Sequence, residues 1–549
     1  MRSAEDAVII DKNPEQAESA YSGSQEDWKK NPQERKEITV KKILSLMLVL
    51  SVILLFVPAL TAAADSAEEA VQEASDVAAL YDQAIALIEA EEFEAAFPLL
   101  EEAAEQGCAD AMTTLGYLYG MGLGAAQDYN AMLKYYHEAA ELDEPMALFN
   151  LGCCYRDGAG VAQDPEEALR YFQLAADRGN GNARFNLGYF YYTGTVVKQD
   201  YEKAFQLFRQ AAEQGFPVAM FAVGDCYYLG NGVNKDPDAA AEWMRKSLAA
   251  GYEPDQTDMA HLKALADSGN AVAQNEYAKC CASGYCVEQN DEEAVKYYRM
   301  AADQGFANSQ YNLANCYFSG VGVEQDEEKG TEYLTAAADQ GLYQAQGLLG
   351  YNYENGIGVK ADFKKAAEYY QAAADQGDAY AQNNLGNCYS HGRGVEQDDE
   401  KAASWYKLAA EQGDPDALNN LGCCYCDGRG VEQDYEKGMQ CFYQAAEMGD
   451  ADAIFNIGYN YYFSEGVKED YDKALECFRT AAEMGQPCAM FLIGESYYEG
   501  KGSEKDPDQA VEWYLKALRF GYEPDEQDQA RLSDVFQELY NLKLDFSAA

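Results

Sequence analysis

From about residue 80 onward, apolar and small residues recur at three- and four-residue steps, and each such stretch makes one helical face. The stretches come in pairs with a period of about 36 residues. A comb of glycines marks the register: Gly179, Gly215 and Gly251, then Gly269, Gly305, Gly341, Gly377, Gly413, Gly449, Gly485 and Gly521. Gly107 fits the comb and Asp143 fills its one vacant tooth. The step from Gly251 to Gly269 is only half a period.

The pattern predicts two helices per period. The first reads A-x-x-x-L-G-x-x-Y-x-x-G, as in ALNNLGCCYCDG from Ala417 to Gly428. Its inner glycine (Gly116, Gly152, Gly188, Gly224, Gly350, Gly386, Gly422, Gly458, Gly494) costs roughly 1 kcal/mol of helix propensity. Such a repeated cost implies close packing of a neighbouring helix. Ala314 is a mild substitution at the same position. The second glycine ends the helix and GxGV makes the turn. An Asp then opens the second helix: Asp128, Asp164, Asp200, Asp236, Asp326, Asp362, Asp398, Asp434, Asp470 and Asp506. In Asp164-Pro165-Glu166-Glu167 the Asp caps free amides, Pro suits the first turn, and Glu167 is placed to close a capping box.

These motifs resemble the Sel-one-like repeat family, a relative of tetratricopeptide repeats. The resemblance covers about eleven units from about 108 to 521, with 78–107 as a diverged half unit or cap. It implies an all-α, right-handed α-solenoid whose relatives serve as adaptors and scaffolds without catalysis.

A longer period overlies the first. LGCCYRDG at Leu151 recurs as LGCCYCDG at Leu421, and GYEPDQTDMAHL from Gly251 recurs at the same offset as GYEPDEQDQARL from Gly521. The second copy leads into a closing helix, expected over 525–542. Its twin, 255–268, is expected to cap a first array, 65–268, ahead of a second array, 269–549. One helix in place of a pair breaks the solenoid phase, so a bend or break is expected there.

The N-terminus changes the picture of location. Residues 1–39 are polar and aperiodic, a disordered preamble. One reading begins translation at Val40 and leaves 1–39 untranslated. Lys41-Lys42 then precede an apolar run, and the stretch from Ile43 to Ala64 carries no charge. Residues 40–64 fit a secretory signal cleaved after Ala64, or an uncleaved anchor spanning the bilayer. Both put the repeats on the outer side, secreted or held at the outer face of the cytoplasmic membrane.

Asp and Glu number 94 against 41 Lys and Arg, a net charge of −53. Without residues 1–64 it is −52. That charge argues against nucleic acid and anionic lipid, which need clustered cations, and favours a basic protein or peptide partner. The membrane enters only through residues 43–64, if they stay uncleaved. The 15 cysteines are odd in number and dispersed, and Cys154, Cys226, Cys316, Cys388 and Cys424 share one repeat position. They read as packed, reduced thiols.

Candidate chemistry is sparse. His137-Glu138-Ala139-Ala140-Glu141 resembles a zinc helix but lacks its second His. Cys423-Cys424-Tyr425-Cys426, and Cys280 and Cys281 with Cys286, do not complete four ligands at zinc spacing. No G-x-S-x-G, P-loop, dinucleotide fingerprint or EF-hand loop occurs. The expectation is therefore no catalytic residue, no metal and no cofactor. The remaining candidate is a ladder of Asn150, Asn186, Asn312, Asn384, Asn420 and Asn456, two residues before the inner glycine. In tetratricopeptide-like solenoids the first helices line the concave face, where an amide can hold a ligand's backbone. The same amide can instead bond the neighbouring unit. The functional expectation is an exported, non-catalytic scaffold or adaptor that binds a protein or peptide along that face. The alternative is a membrane-anchored regulatory or envelope-assembly subunit.

Overall fold

The structure, a computed structural model, describes residues 77–540. The preamble 1–39, the segment 40–64 with Ala64, and the last two residues of the expected closing helix lie outside the described residues. The described chain forms 26 helices in tandem pairs, and no strand occurs among the described residues. Residues 77–89 and the helix Phe93–Glu105 precede the first full pair. The α-solenoid reading is correct: a typical pair is Pro415–Asp427 and Tyr435–Glu447, and most helices have much the same length.

The Asp comb caps the second helices. Asp164 accepts from the amides of Glu166 and Glu167, each at 3.1 Å, and its counterparts do the same two or three residues along their chains. The expected capping box at Glu167 does not close, because Glu167 takes an ion pair with Arg170 at 2.8 Å instead. In several repeats the residue three after the Asp is Lys. Lys329, Lys401, Lys437 and Lys473 pair with their own cap Asp at 2.7–4.0 Å. Each also lies over a Tyr of the first helix, Tyr317, Tyr389, Tyr425 and Tyr461, at 5.0–5.7 Å from the ring centre. One exposed cation thus ties a helix cap to the facing helix.

The inner glycine admits a side chain from the second helix. A Cβ at Gly386 would lie 2.6 Å from the Tyr406 ring; at Gly152 it would meet Phe172 and at Gly422 Phe442, also at 2.6 Å. Those rings are almost fully buried. Where Ala314 replaces the glycine, the facing residue is Leu334 rather than a ring, and it too is fully buried. A methyl added on one side is matched by volume removed on the other.

The second glycine of GxGV does more than turn the chain. At φ +68, a Cβ on Gly430 would fall 1.9 Å from the carbonyl oxygen of Asp399, at the start of the preceding repeat's second helix. Gly394 stands likewise against Phe363 at 2.0 Å. The turn is therefore a repeat-to-repeat contact. Cys286 occupies this position with φ 60 and is exposed. Where its docking residue would stand, the chain has Asp255, the cap of a lone helix, in place of the start of a second helix.

That lone helix, Gln256–Asp267, occupies the half-period step. Asp255 and Asp258 form a reciprocal capping box there, and Met259, Leu262 and Leu265 are buried. Its twin near the C-terminus is Glu526–Tyr540, whose Leu532, Val535 and Phe536 join a core with Ile493 and Tyr514. The chain divides into two compact units between Gln289 and Asn290. Within each, the cores are local, drawn from adjacent helices.

Candidate interaction surface

Along each first helix, the residues six and two before the inner glycine and one and five after it form one stripe, at the spacing of a helical face. Much of the remainder of these helices is buried. The Asn ladder sits on this stripe, and its six members differ in what they do. Asn420 Nδ2 donates to Asn383 Oδ1 at 2.9 Å, and Asn456 Nδ2 to Asn419 Oδ1 at 2.8 Å, each in the preceding repeat. Asn384 turns to its own helix and donates to the Tyr380 carbonyl at 3.0 Å. Asn186 is buried, donates to the Asn182 carbonyl and accepts from Arg156 at 2.8 Å. Asn150 and Asn312 are half-buried. Amide-to-amide links between repeats thus join only part of the ladder.

A second amide chain was missed from sequence. Gln340 donates to Gln310 Oε1 at 2.7 Å, Gln376 to Gln346 at 2.8 Å, and Gln412 to Gln382 at 2.8 Å. The acceptors in turn donate to the carbonyls of Ala302, Ala338 and Ala374. Its signal was available, since both sets of Gln recur at the repeat period.

Charge is sorted between the helices of the second unit. Its six first helices, from Ala307–Ser319 to Pro487–Glu499, contain no Lys or Arg. They carry Glu354, Asp416, Asp427, Asp452, Glu495 and Glu499. Exposed aromatic rings accompany them: Tyr351 at 40%, Tyr380 at 45% and Phe463 at 47%.

The sequence-flagged thiols and His do not assemble a centre. Among the described residues, no three His, Cys, Asp or Glu side chains are grouped so as to hold a metal ion. His137 packs edge-on to Tyr171, and Glu138 faces Lys134 at 3.8 Å. All 15 cysteines are free. Burial pushes the thiols of Cys153, Cys388 and Cys423 up to about 12, which disfavours the reactive thiolate. Among the described residues, no helix is long and apolar enough to cross a membrane.

Comparison with known proteins places these features. No curated protein matches the chain. A solved Escherichia coli protein, c5321, described as a protective antigen of uropathogenic strains with an SLR fold, is 33% identical. That match covers 80% of this chain and 93% of the other, with a TM-score of 0.46. A Sel1 repeat protein from Oxalobacter formigenes is 31% identical over 58% of this chain and 88% of its own, with a TM-score of 0.35. The Sel1 repeat model matches four successive copies over residues 109–252 and seven over 271–519, interrupted where the lone helix stands. Proteins built from these repeats are generally non-catalytic scaffolds. With eleven matched copies over most of its length, the chain belongs to the Sel1 repeat family.

Proposed function

We propose that this chain is a non-catalytic scaffold, exported across the cytoplasmic membrane, that holds a protein or peptide partner along the first-helix face of its second unit. The observation that carries this reading is the composition of that face. It has acidic side chains, amides and exposed rings, with no Lys or Arg on its helices. A long, sequentially built surface of this kind suits an extended ligand, and its charge favours a basic one. Export rests on sequence alone: Lys41-Lys42, the apolar run and Ala62-Ala63-Ala64. A second reading, a membrane-anchored subunit, is favoured by the long uncharged stretch from Ile43 to Ala64.

The test is capture of partners from an envelope extract by the chain and by two paired variants. Asn384→Ala with Asn420→Ala alters the face. Lys364→Ala with Lys407→Ala alters second helices at side chains that are 79% and 64% exposed. A partner lost from the Asn pair alone, with melting unchanged, supports the face. A partner lost from the Lys pair alone overturns it. The intact mass of the chain recovered from cells separates the two locations, since cleavage after Ala64 removes residues 1–64.

A further inference from the structure

Three residues before the inner-glycine position, which Ala278 and Ala314 fill in two repeats, ten of the eleven matched repeats carry a side chain, among them Phe149, Asn275, Tyr311, Asn383 and Phe455. The exception is Gly347. The atoms nearest a Cβ built there are Asp378 Oδ1 at 3.5 Å, Tyr380 Cδ1 at 3.9 Å and the Ala373 methyl at 4.0 Å, all at ordinary contact distance. Tyr380, from the next first helix, brings a ring carbon into contact with the position that a side chain occupies elsewhere. Tyr351 stands one helical turn beyond Gly347, on the same side. Glu354 follows Tyr351 by three residues. Its Oε2 accepts from the Tyr370 hydroxyl at 2.9 Å. Burial holds the Tyr380 phenol above its ordinary range, a bond to the Asn384 side chain opposes it, and the neighbouring Tyr351 and Glu354 raise it further, in line with their closeness.

The same gap explains why Asn384 departs from the ladder. Asn420 and Asn456 find an Asn three before the glycine of the preceding repeat. Asn384 finds Gly347 there, and bonds its own helix. Near this interruption two tyrosine rings are exposed, at 40% and 45%, beside a carboxylate that is itself only 20% exposed. The chain's own Arg393 approaches that carboxylate from the following turn, at 3.5 Å, with half of its side chain in solvent. A guanidinium therefore already reaches Glu354, though at a distance too long for a strong bond.

We propose that Tyr351, Tyr380 and Glu354 form a seat for an arginine side chain of an extended basic partner. A planar guanidinium stacks on ring faces and pairs with a carboxylate in a way that a compact ammonium does not. The seated arginine takes the place of Arg393 beside Glu354, on a face whose helices have no Lys or Arg of their own. This rests on the reading of the first-helix face as the binding surface, and names the chemistry that face selects.

The probe is a fluorescent nonapeptide of Ser and Gly with three alternating arginines, and a counterpart with citrulline in their place. Anisotropy titrations into the purified full chain compare wild type, Tyr351→Leu with Tyr380→Leu, and Glu354→Gln. The leucine pair keeps the net charge, so general attraction to an acidic chain is unchanged. The expected result is at least tenfold tighter binding of the arginine peptide than of the citrulline one. The leucine pair should lose at least fivefold of that affinity with an unchanged melting curve, and Glu354→Gln a comparable factor. Equal binding of both peptides, or wild-type affinity in the leucine pair, overturns the seat. If the leucine pair binds normally while the Asn384 and Asn420 pair loses its captured partner, the seat falls and the first-helix face stands. If neither pair changes binding and the Lys364 and Lys407 pair does, both fall.

Discussion

The two units contain twin helices at equivalent places, and the twins are fastened differently. In the first unit, His261 of the lone helix lies 2.9 Å from Asp225 and packs against Tyr228. At the matching position of the second, Arg531 meets Glu495 at 2.6 Å and also pairs with Glu499, while its guanidinium faces Tyr498. Glu495 further accepts from Tyr514 at 2.5 Å. Burial raises the Glu495 carboxyl above its usual range, and Tyr514 and Arg531 pull it back. The same backbone position therefore carries a side chain charged at any working pH in one unit, and one charged only when protonated in the other. The first helices differ in parallel. Those of the first unit carry Arg156, Arg184 and Lys279 among four acidic residues, and those of the second carry acids and no Lys or Arg. Duplication fixed the helices, and the polar fastenings then diverged.

The largest test of this contrast is truncation. We expect a chain ending at Gln289 to melt at least about 5 °C above one ending at Ser268. The shorter one uncovers the buried face of Gln256–Asp267 against which Ala271–Ser283 packs, including the Gln274 bond to the Ala266 carbonyl at 3.0 Å. Equal melting would make the lone helix a sufficient cap. Next, Arg531→Ala should destabilise by about 2–3 kcal/mol, because it removes the cation that Glu495 and Glu499 share and leaves the buried Glu495 carboxyl without its charged partner. His261→Ala should cost clearly less in denaturant titration at neutral pH.

Smaller changes probe single departures within the second unit. Asn352 is 2% exposed and its Nδ2 has no hydrogen-bond partner, whereas Cys316, Cys388 and Cys424 fill the equivalent places. Asn352→Cys should therefore raise stability by about 1 kcal/mol. Ser464 holds φ 61 where other repeats place glycine, and Ser464→Gly should gain up to about 1 kcal/mol. The smallest effect concerns pH. Hydrogen bonds from lysine side chains and backbone amides hold the Asp326, Asp398 and Asp434 carboxyls below their usual range. A lowered folded-state value means their contribution is complete above about pH 4 and lost as the pH falls through that lower value. Helix loss on acidification should thus begin at these second-helix starts, which hydrogen exchange can locate.

Repetition made much of this legible beforehand. The Asp comb named the helix caps because a cap needs only local chemistry, and the inner glycine announced a close approach. What it could not name was the partner: Tyr406 lies on the helix after Gly386, and only helix packing brings the ring to the glycine. The turn glycines looked purely local, yet Gly430 presses on Asp399 of another repeat. The Asn ladder was visible as a column, but whether each amide reaches a neighbour depends on a different column, three before the glycine. Gly347 breaks the ladder there without altering any Asn. The pairing of Arg531 with Glu495 is equally silent, since a whole helix, Pro507–Arg519, separates the two in the chain.

The seating of each turn glycine against the preceding repeat has a consequence for how such a gene can change. A deletion of a few residues in a turn would misplace the contact and strand a Cβ-free position where it is not needed. Gain or loss of a whole copy leaves every contact of this type intact, because each copy brings its own glycine and its own docking carbonyl. Copy number is therefore a quantity that recombination can vary without refolding the units around it. The spacing from Leu151 to Leu421, seven and a half periods, fits this rule with one exception. The lone helix travelled with its block, and Cys286 stands where the missing contact no longer demands glycine.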